Sequence, residues 1–223
     1  PWLYFLLQKK IGRRLAYKTL IGFALGGLQG LLGWTMVKSG LVDNPFVSHY
    51  RLAAHLLLST FILSYFTWII LDLSCSQRNE VRKNNKILRA MSVGLTALIT
   101  LQIFFGALVS GLKAGYIYNT FPMMGDTFFP PQVFSLSPGW KNFFENPVGV
   151  QLIHRLLGMG IFAYCGALSI MGIFKYRQSL LEKPLLLGLL ALAAMGAIQF
   201  TLGISTLLLA VPIGLAVAHQ LGA

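Results

Sequence analysis

Apolar residues run almost unbroken through five stretches of the chain, near 19–37, 52–73, 90–112, 148–174 and 185–210. Each is about 20 residues long or a little more, the length an α-helix needs to cross ~30 Å of hydrocarbon. Shorter apolar runs, 1–7 and 213–223, stand at the two ends. The pattern predicts an all-α, polytopic transmembrane helical bundle, with the chain beginning at the end of one span and stopping inside another. Polar breaks between the spans are short, apart from the segment 113–147. Its stretch Ala114–Asp126 (AGYIYNTFPMMGD) is aromatic and apolar rather than solvent-like. A connection of that length inside a compact protein is usually functional. It is expected to fold back over the outer face as a lid, with an amphipathic segment at the lipid interface as the alternative.

Composition supports the membrane reading. Of 223 residues, 56% are hydrophobic and 11% charged, with a mean hydropathy of +0.69; a soluble domain carries about 25% charged residues. The net charge of +12 raises the question of nucleic acid, and the placement of the charge excludes it. Lys9, Lys10, Arg13, Arg14 and Lys18 mark one loop, Arg78, Arg82, Lys83, Lys86 and Arg89 a second, and Lys175, Arg177 and Lys183 a third, so 13 of the 18 basic residues lie in alternate loops. That is a topology signal, placing those loops in the cytoplasm or the mitochondrial matrix. The chain is therefore expected in the bacterial inner (cytoplasmic) membrane or the mitochondrial inner membrane. Cys75 and Cys165 fall at an inner helix end and inside a span. They are too far apart along the membrane normal to pair and are read as free thiols.

A repeat runs through the spans. The first carries Gly26-x-x-Gln29-x-x-x-Gly33 and the fifth Gly196-x-x-Gln199-x-x-x-Gly203; the third holds the shorter Gln102-x-x-x-Gly106. Small residues four apart let membrane helices approach closely, and a lone glutamine can hydrogen-bond across them. The repeat therefore reads as helix packing that marks the register of two duplicated halves. The expected halves are 1–74 and 75–223, each part of a four-helix unit. If the period holds, a counterpart of His154 falls about 16 residues upstream of Pro1.

Three histidines stand out within this frame. His55, His154 and His219 each follow a helix-opening residue (Ser48, Pro147 and Pro212) by seven positions, ~10 Å into a span that descends from the outer side. Ionisable side chains inside a membrane mark functional sites. Three imidazoles in one tier point to haem iron, which takes histidine as an axial ligand; a hydrogen bond to a neighbouring helix is the bland account of any one of them. His49, at the helix mouth beside Tyr50, is left outside the metal-ligand set. Arg51 and Arg155 accompany the layer. A guanidinium matches a haem propionate in bidentate geometry, and the alternative is snorkelling to lipid phosphate.

Five stretches carry a family resemblance: 27–40 (GLQGLLGWTMVKSG), 50–56 (YRLAAHL), 114–126, 145–155 (ENPVGVQLIHR) and 202–220 (LGISTLLLAVPIGLAVAHQ). Together they make the chain resemble haem A synthase of the mitochondrial and alphaproteobacterial type, over nearly its whole length. The resemblance implies eight transmembrane helices in two four-helix halves. It also implies oxidation of the C8 methyl of haem o to a formyl group by successive hydroxylations, giving haem a for cytochrome oxidase. By the same resemblance, His154 and His219 ligate a haem b cofactor in the C-terminal half. His55 contributes to the haem o substrate site in the other half, and both sites lie near the outer (periplasmic or intermembrane) side. The family's catalytic glutamate precedes a histidine by three residues, and the matching place here is Gln151. The catalytic residue is therefore expected upstream of Pro1, and residues 1–223 alone are expected to be inactive. Implied partners are the lipid bilayer, haem o with the haem o synthase that makes it, and an electron donor; the sequence leaves homo-oligomerisation open. From the residues alone, a non-catalytic bis-histidine diheme cytochrome carrying electrons from quinol to a partner stands as the alternative.

Overall fold

The computed structural model describes residues 2–38, 47–75 and 86–222. Seven α-helices account for most of them: α1 (Trp2–Leu7), α2 (Arg13–Lys38), α3 (His49–Cys75), α4 (Lys86–Gly111), α5 (Pro147–Arg177), α6 (Lys183–Leu208) and α7 (Ile213–Leu221). Five of these, α2 to α6, are long and apolar enough to cross a membrane, and α1 and α7 occupy the two partial runs. The helices extend past the apolar stretches at their inner ends. There Arg13, Arg14 and Lys18 begin α2, since long basic side chains are good helix formers that reach back to the interface. Large apolar side chains remain exposed along the spans, Phe23 at 80% and Leu63 at 70% among them. Such a surface is suited to hydrocarbon rather than water.

The chain divides into two compact units, Pro1–Asn85 and Lys86–Ala223. In the first, α2 and α3 form an antiparallel hairpin. Gly22 lies against the Phe66 ring, where a Cβ would collide. Towards the inner end the Tyr65 hydroxyl donates to the Lys18 carbonyl at 2.9 Å, and the Lys18 ammonium meets Asp72 at 2.6 Å while lying 4.3 Å over the Trp68 ring. Asp72 is the one acidic residue of α3, and its pairing agrees with the cost of a lone carboxylate at that depth.

In the second unit α4, α5 and α6 pack side by side around Leu88, Leu95, Cys165, Leu168 and Leu189. Gly172 lets α6 approach: a Cβ there would stand 2.6 Å from Leu189 Cδ1. The Ser169 hydroxyl donates to the Leu189 carbonyl (2.8 Å) and the Tyr164 hydroxyl to the Met91 carbonyl (3.1 Å). Each satisfies a hydroxyl where no water is at hand. Cys165 is a free, buried thiol, as expected; the Cys75 side chain and the basic residues 78–83 lie outside the described residues.

One turn is built three times among the described residues. After α1, Gln8, Lys9 and Lys10 donate backbone N–H groups to Tyr4, Leu6 and Phe5, and Lys9 has φ +53°. After α5, Gln178, Ser179 and Leu180 donate to Phe174, Tyr176 and Lys175, and Ser179 has φ +55°. After α6, Leu209, Ala210 and Val211 donate to Ser205, Leu207 and Thr206, and Ala210 has φ +57°.

Between α4 and α5 the long connection is ordered into three 3-10 turns, Ala114–Tyr116, Pro131–Phe134 and Gly139–Phe143. All three pack on α5. Met124, 2% exposed, fills a small core with Val133, Val148 and Leu152. Phe128, Phe129 and Phe134 remain exposed on its outer surface. The segment does fold back on its own unit, but as a stapled cap rather than a structureless flap.

Candidate functional site

The α6–α7 connection is short, and the α5 N-terminus is defined with unusual care. Asn146 caps α5, its side-chain oxygen accepting from Val148 N (3.0 Å) and Gly149 N (3.4 Å), while its amide donates to the carbonyls of Gln132 (2.7 Å) and Val133 (3.2 Å). Gly149 lies against the Asn142 carbonyl, leaving no room for a Cβ. From this anchored start, His154 follows two turns along α5.

Each of the three histidines meets the same pair of residues on the preceding helix of its hairpin. In α2/α3, the Gln29 amide nitrogen is 3.2 Å from His55 Nε2 and donates to the His55 carbonyl at 3.0 Å. It also meets the Ser59 hydroxyl, which itself donates to that carbonyl. In α4/α5, the Gln102 amide nitrogen is 3.3 Å from His154 Nε2. In α6/α7, the Gln199 amide donates to the His219 carbonyl at 2.5 Å. Four residues beyond each glutamine stands a glycine against which the ring lies. A Cβ on Gly33, Gly106 or Gly203 would come within 3.1, 3.2 or 2.8 Å of Cε1 of His55, His154 or His219. The Gln-x-x-x-Gly motif thus does more than set helix packing. It is a seat for an imidazole, and its threefold recurrence was the visible sign of that use.

His154 and His219 belong to one unit, on α5 and α7, both of which pack on α6; His55 belongs to the other unit. Phe162 stacks on Phe200 at 4.8 Å, which fixes the α5–α6 register. Gly203 then falls level with about residue 159, five residues (roughly 7 Å) further along α5 than His154. The expected single tier is therefore stepped between these two, because α5 projects beyond the outer end of α6.

The arginines sit where the spacing put them, with both guanidinium groups engaged by protein. Arg51 donates to the Thr35 carbonyl at 2.6 Å, closing the outer end of its hairpin. Arg155, 8% exposed, donates to the carbonyls of Tyr118 and Thr120 (2.7 Å each) and Met123 (3.1 Å). Gln151 adds a bond to the Tyr118 carbonyl at 3.0 Å, and Asn119 ties the same segment to the Leu207 carbonyl of α6 at 2.8 Å. Gln151 and Arg155 are therefore staples of the 113–146 cap. His49 lies against its neighbour Tyr50, ring centroids 4.1 Å apart.

Chemically, the site offers half-buried imidazoles. The Nδ1 atoms of His55, His154 and His219 are buried without a hydrogen-bond partner, as is Arg155 Nε. Among the described residues, no three His, Cys, Asp or Glu side chains cluster as they would around a chelated ion. Single imidazoles on separate helices, each lying against a glycine, suit ligation of a haem better than a compact metal site. In this sense the residues fit a haem.

A family model described as "Cytochrome oxidase assembly protein" (COX15-CtaA) matches residues 1–223. The chain belongs to this family. Among similar proteins, one named heme A synthase from Nitrosospira multiformis is 46% identical over 226 residues, covering 100% of this chain and 62% of the relative. Another of that name from Wolbachia pipientis (Culex pipiens) is 41% identical over 99% of this chain and 63% of its own length. One from Paramagnetospirillum magneticum is 40% identical over 100% and 62%. The chain thus spans less than two thirds of these relatives. No solved structure matches it. Membership of the COX15-CtaA family and five candidate spans make it an integral, multi-pass membrane protein.

Proposed function

We propose that this chain is the greater part of a haem A synthase, which oxidises the C8 methyl of haem o to a formyl group to give haem a. The observation that carries the reading is the repeated seat: three half-buried histidines, each lying against a glycine and met by a glutamine. Full-length relatives named heme A synthase support it.

In this reading His154 and His219 would hold a haem b, which would supply one-electron transfer there. His55 is a ligand for haem o, the substrate. Gln151, neutral and committed to the Tyr118 carbonyl, holds the cap and takes no part in proton transfer. The catalytic carboxylate is assigned to no residue of this chain. A propionate approaching Arg155 would find its Nε unpartnered while both Nη groups keep their carbonyls; at Arg51 it would share the guanidinium with Thr35. The 113–146 cap excludes water from the outer end of α5, with both sites on the outer side of the membrane.

Two duplicated four-helix halves are part of the proposal. Helix starts at 13 and 183 and glutamines at 29 and 199 share one offset of 170 residues. That offset puts the counterpart of His154 about 16 residues before Pro1.

The test is pigment extraction from membranes expressing the full-length gene with a haem o supply. Formyl-bearing haem is expected. Unchanged haem o with a bis-histidine spectrum would instead make the protein an electron carrier. His154→Ala and His219→Ala should each abolish the low-spin b signal, and a wild-type spectrum in both would remove the ligand assignment.

A further inference from the structure

We infer that Asn119 is a positioning residue for the pair His154 and His219. Together with Arg155 it makes residues 115–123 of the cap a strut between α5, which carries His154, and the α6–α7 turn, which leads to His219. The inference rests on the haem-ligand reading for its purpose, while the strut itself can be tested without haem.

α7 has nine residues and packs on α6, so its direction depends on the turn before it. Beyond the three bonds shared with the other turns, this one has a second left-handed residue: Val211, at φ +61°, follows Ala210 at φ +57°. A β-branched side chain rarely adopts that conformation and keeps it only where the surroundings hold it. The cap lies against it there. A Cβ on Gly115 would stand 3.0 Å from Val211 Cγ2. The Asn119 amide nitrogen donates to the carbonyls of Gly115 and Leu207, at 2.8 Å each. An amide has two hydrogens to give, and turning it over would set its oxygen against both carbonyls, so its orientation is fixed. Leu207 lies in the last turn of α6, where carbonyls lack partners along the helix. Ala210 N gives it one bond and Asn119 a second, from outside the hairpin.

The other end of the strut is Arg155, beside His154 in sequence. Along 118–121 the contacts alternate between the two helices. Arg155 of α5 takes the carbonyls of Tyr118 and Thr120. Asn119 between them takes Leu207 of α6, and the Phe121 ring meets Phe200 of α6 edge-on at 6.0 Å. A short extended piece of chain thus spans from the His154 turn of α5 to the end of α6. Loosening Asn119 would free the exit of α7 while leaving both imidazoles and their glycine seats in place.

The experiment uses full-length protein in lipid, with Cys75→Ser and spin labels on Leu156→Cys and Ile213→Cys, exposed positions of α5 and α7. In the haem-free form, the distance between the labels should show one narrow population. Asn119→Asp matches the shape but has no hydrogen to give when ionised and one when protonated. It should broaden or shift that population, which a loss of stability alone would not do. A disulfide between Gly115→Cys and Val211→Cys, where the two backbones already touch, should narrow it again in the Asn119→Asp background. After haem loading, Asn119→Asp should retain the b haem several-fold more weakly, with an altered low-spin resonance, and the disulfide should recover both. A distance indifferent to Asn119→Asp, or a disulfide that forms without narrowing it, overturns the inference. So does a b spectrum that responds to His154→Ala but not to Asn119→Asp. If the distance responds and His154→Ala keeps a normal b spectrum, the ligand reading fails and the strut stands. Should Asn119→Asp not accumulate, Asn119→Ala carries the same comparison.

Discussion

A glycine is most informative where the atom it lacks would touch something. A Cβ at Gly203 would come to 2.8 Å from the His219 ring, closer than side-chain carbons normally approach, whereas at Gly30, on the same helix as the Gln29 seat, it would meet nothing within 4 Å. Gly203→Ala is expected to displace the imidazole and lower b-haem occupancy several-fold; Gly30→Ala should leave it unchanged. Reduced-minus-oxidised spectra per mole of purified full-length protein check both, and equal spectra would show that the ring does not depend on its seat. The histidines themselves were legible from the chain, since imidazoles in a hydrophobic span have few other uses. What spacing could not reveal was the partner of each ring. Gln and Gly at i and i+4 on a membrane helix serve ordinary packing equally well, and only the fold brings Gln102 to His154 across 52 positions of sequence.

At the level of helices and their connections, the apolar runs located the five long candidate spans and both short terminal helices. That succeeded because a span's length is set by the bilayer and its backbone must bond internally. The segment 113–146 was harder to read. Its order comes from side chains far along the chain, above all Arg155, whose two Nη groups hold three carbonyls of the cap. Hydrogen bonds to a charged donor are worth about 1.5–3 kcal/mol each, and their loss would strand acceptors with little water to replace the donor. Arg155→Met is therefore expected to cost about 3 kcal/mol or more in thermal unfolding and to open the Tyr118–Met123 stretch to protease. Arg51→Met removes one bond at an exposed site and should cost less than about 1 kcal/mol. Equal losses in melting temperature for the two variants would contradict the stapled cap.

For the molecule as a whole, the alternation of basic loops makes a definite statement about sidedness. Phe129, 66% exposed on the cap, and Ser179, in the turn after α5, should lie on opposite faces of the membrane. In a full-length background, an impermeant thiol reagent applied from the periplasmic or intermembrane side should modify Phe129→Cys in intact membranes and Ser179→Cys only after permeabilisation. Cys165, 2% exposed, should stay unlabelled in both states. The opposite pattern would invert the topology and move the histidines to the other leaflet. The turns after α1, α5 and α6 close on the same three backbone bonds around a left-handed residue, yet they spell Gln-Lys-Lys, Gln-Ser-Leu and Leu-Ala-Val. Because main-chain groups do the fastening, the side chains there are free to answer to their surroundings, and such a bend can change its letters widely without altering the path of the chain.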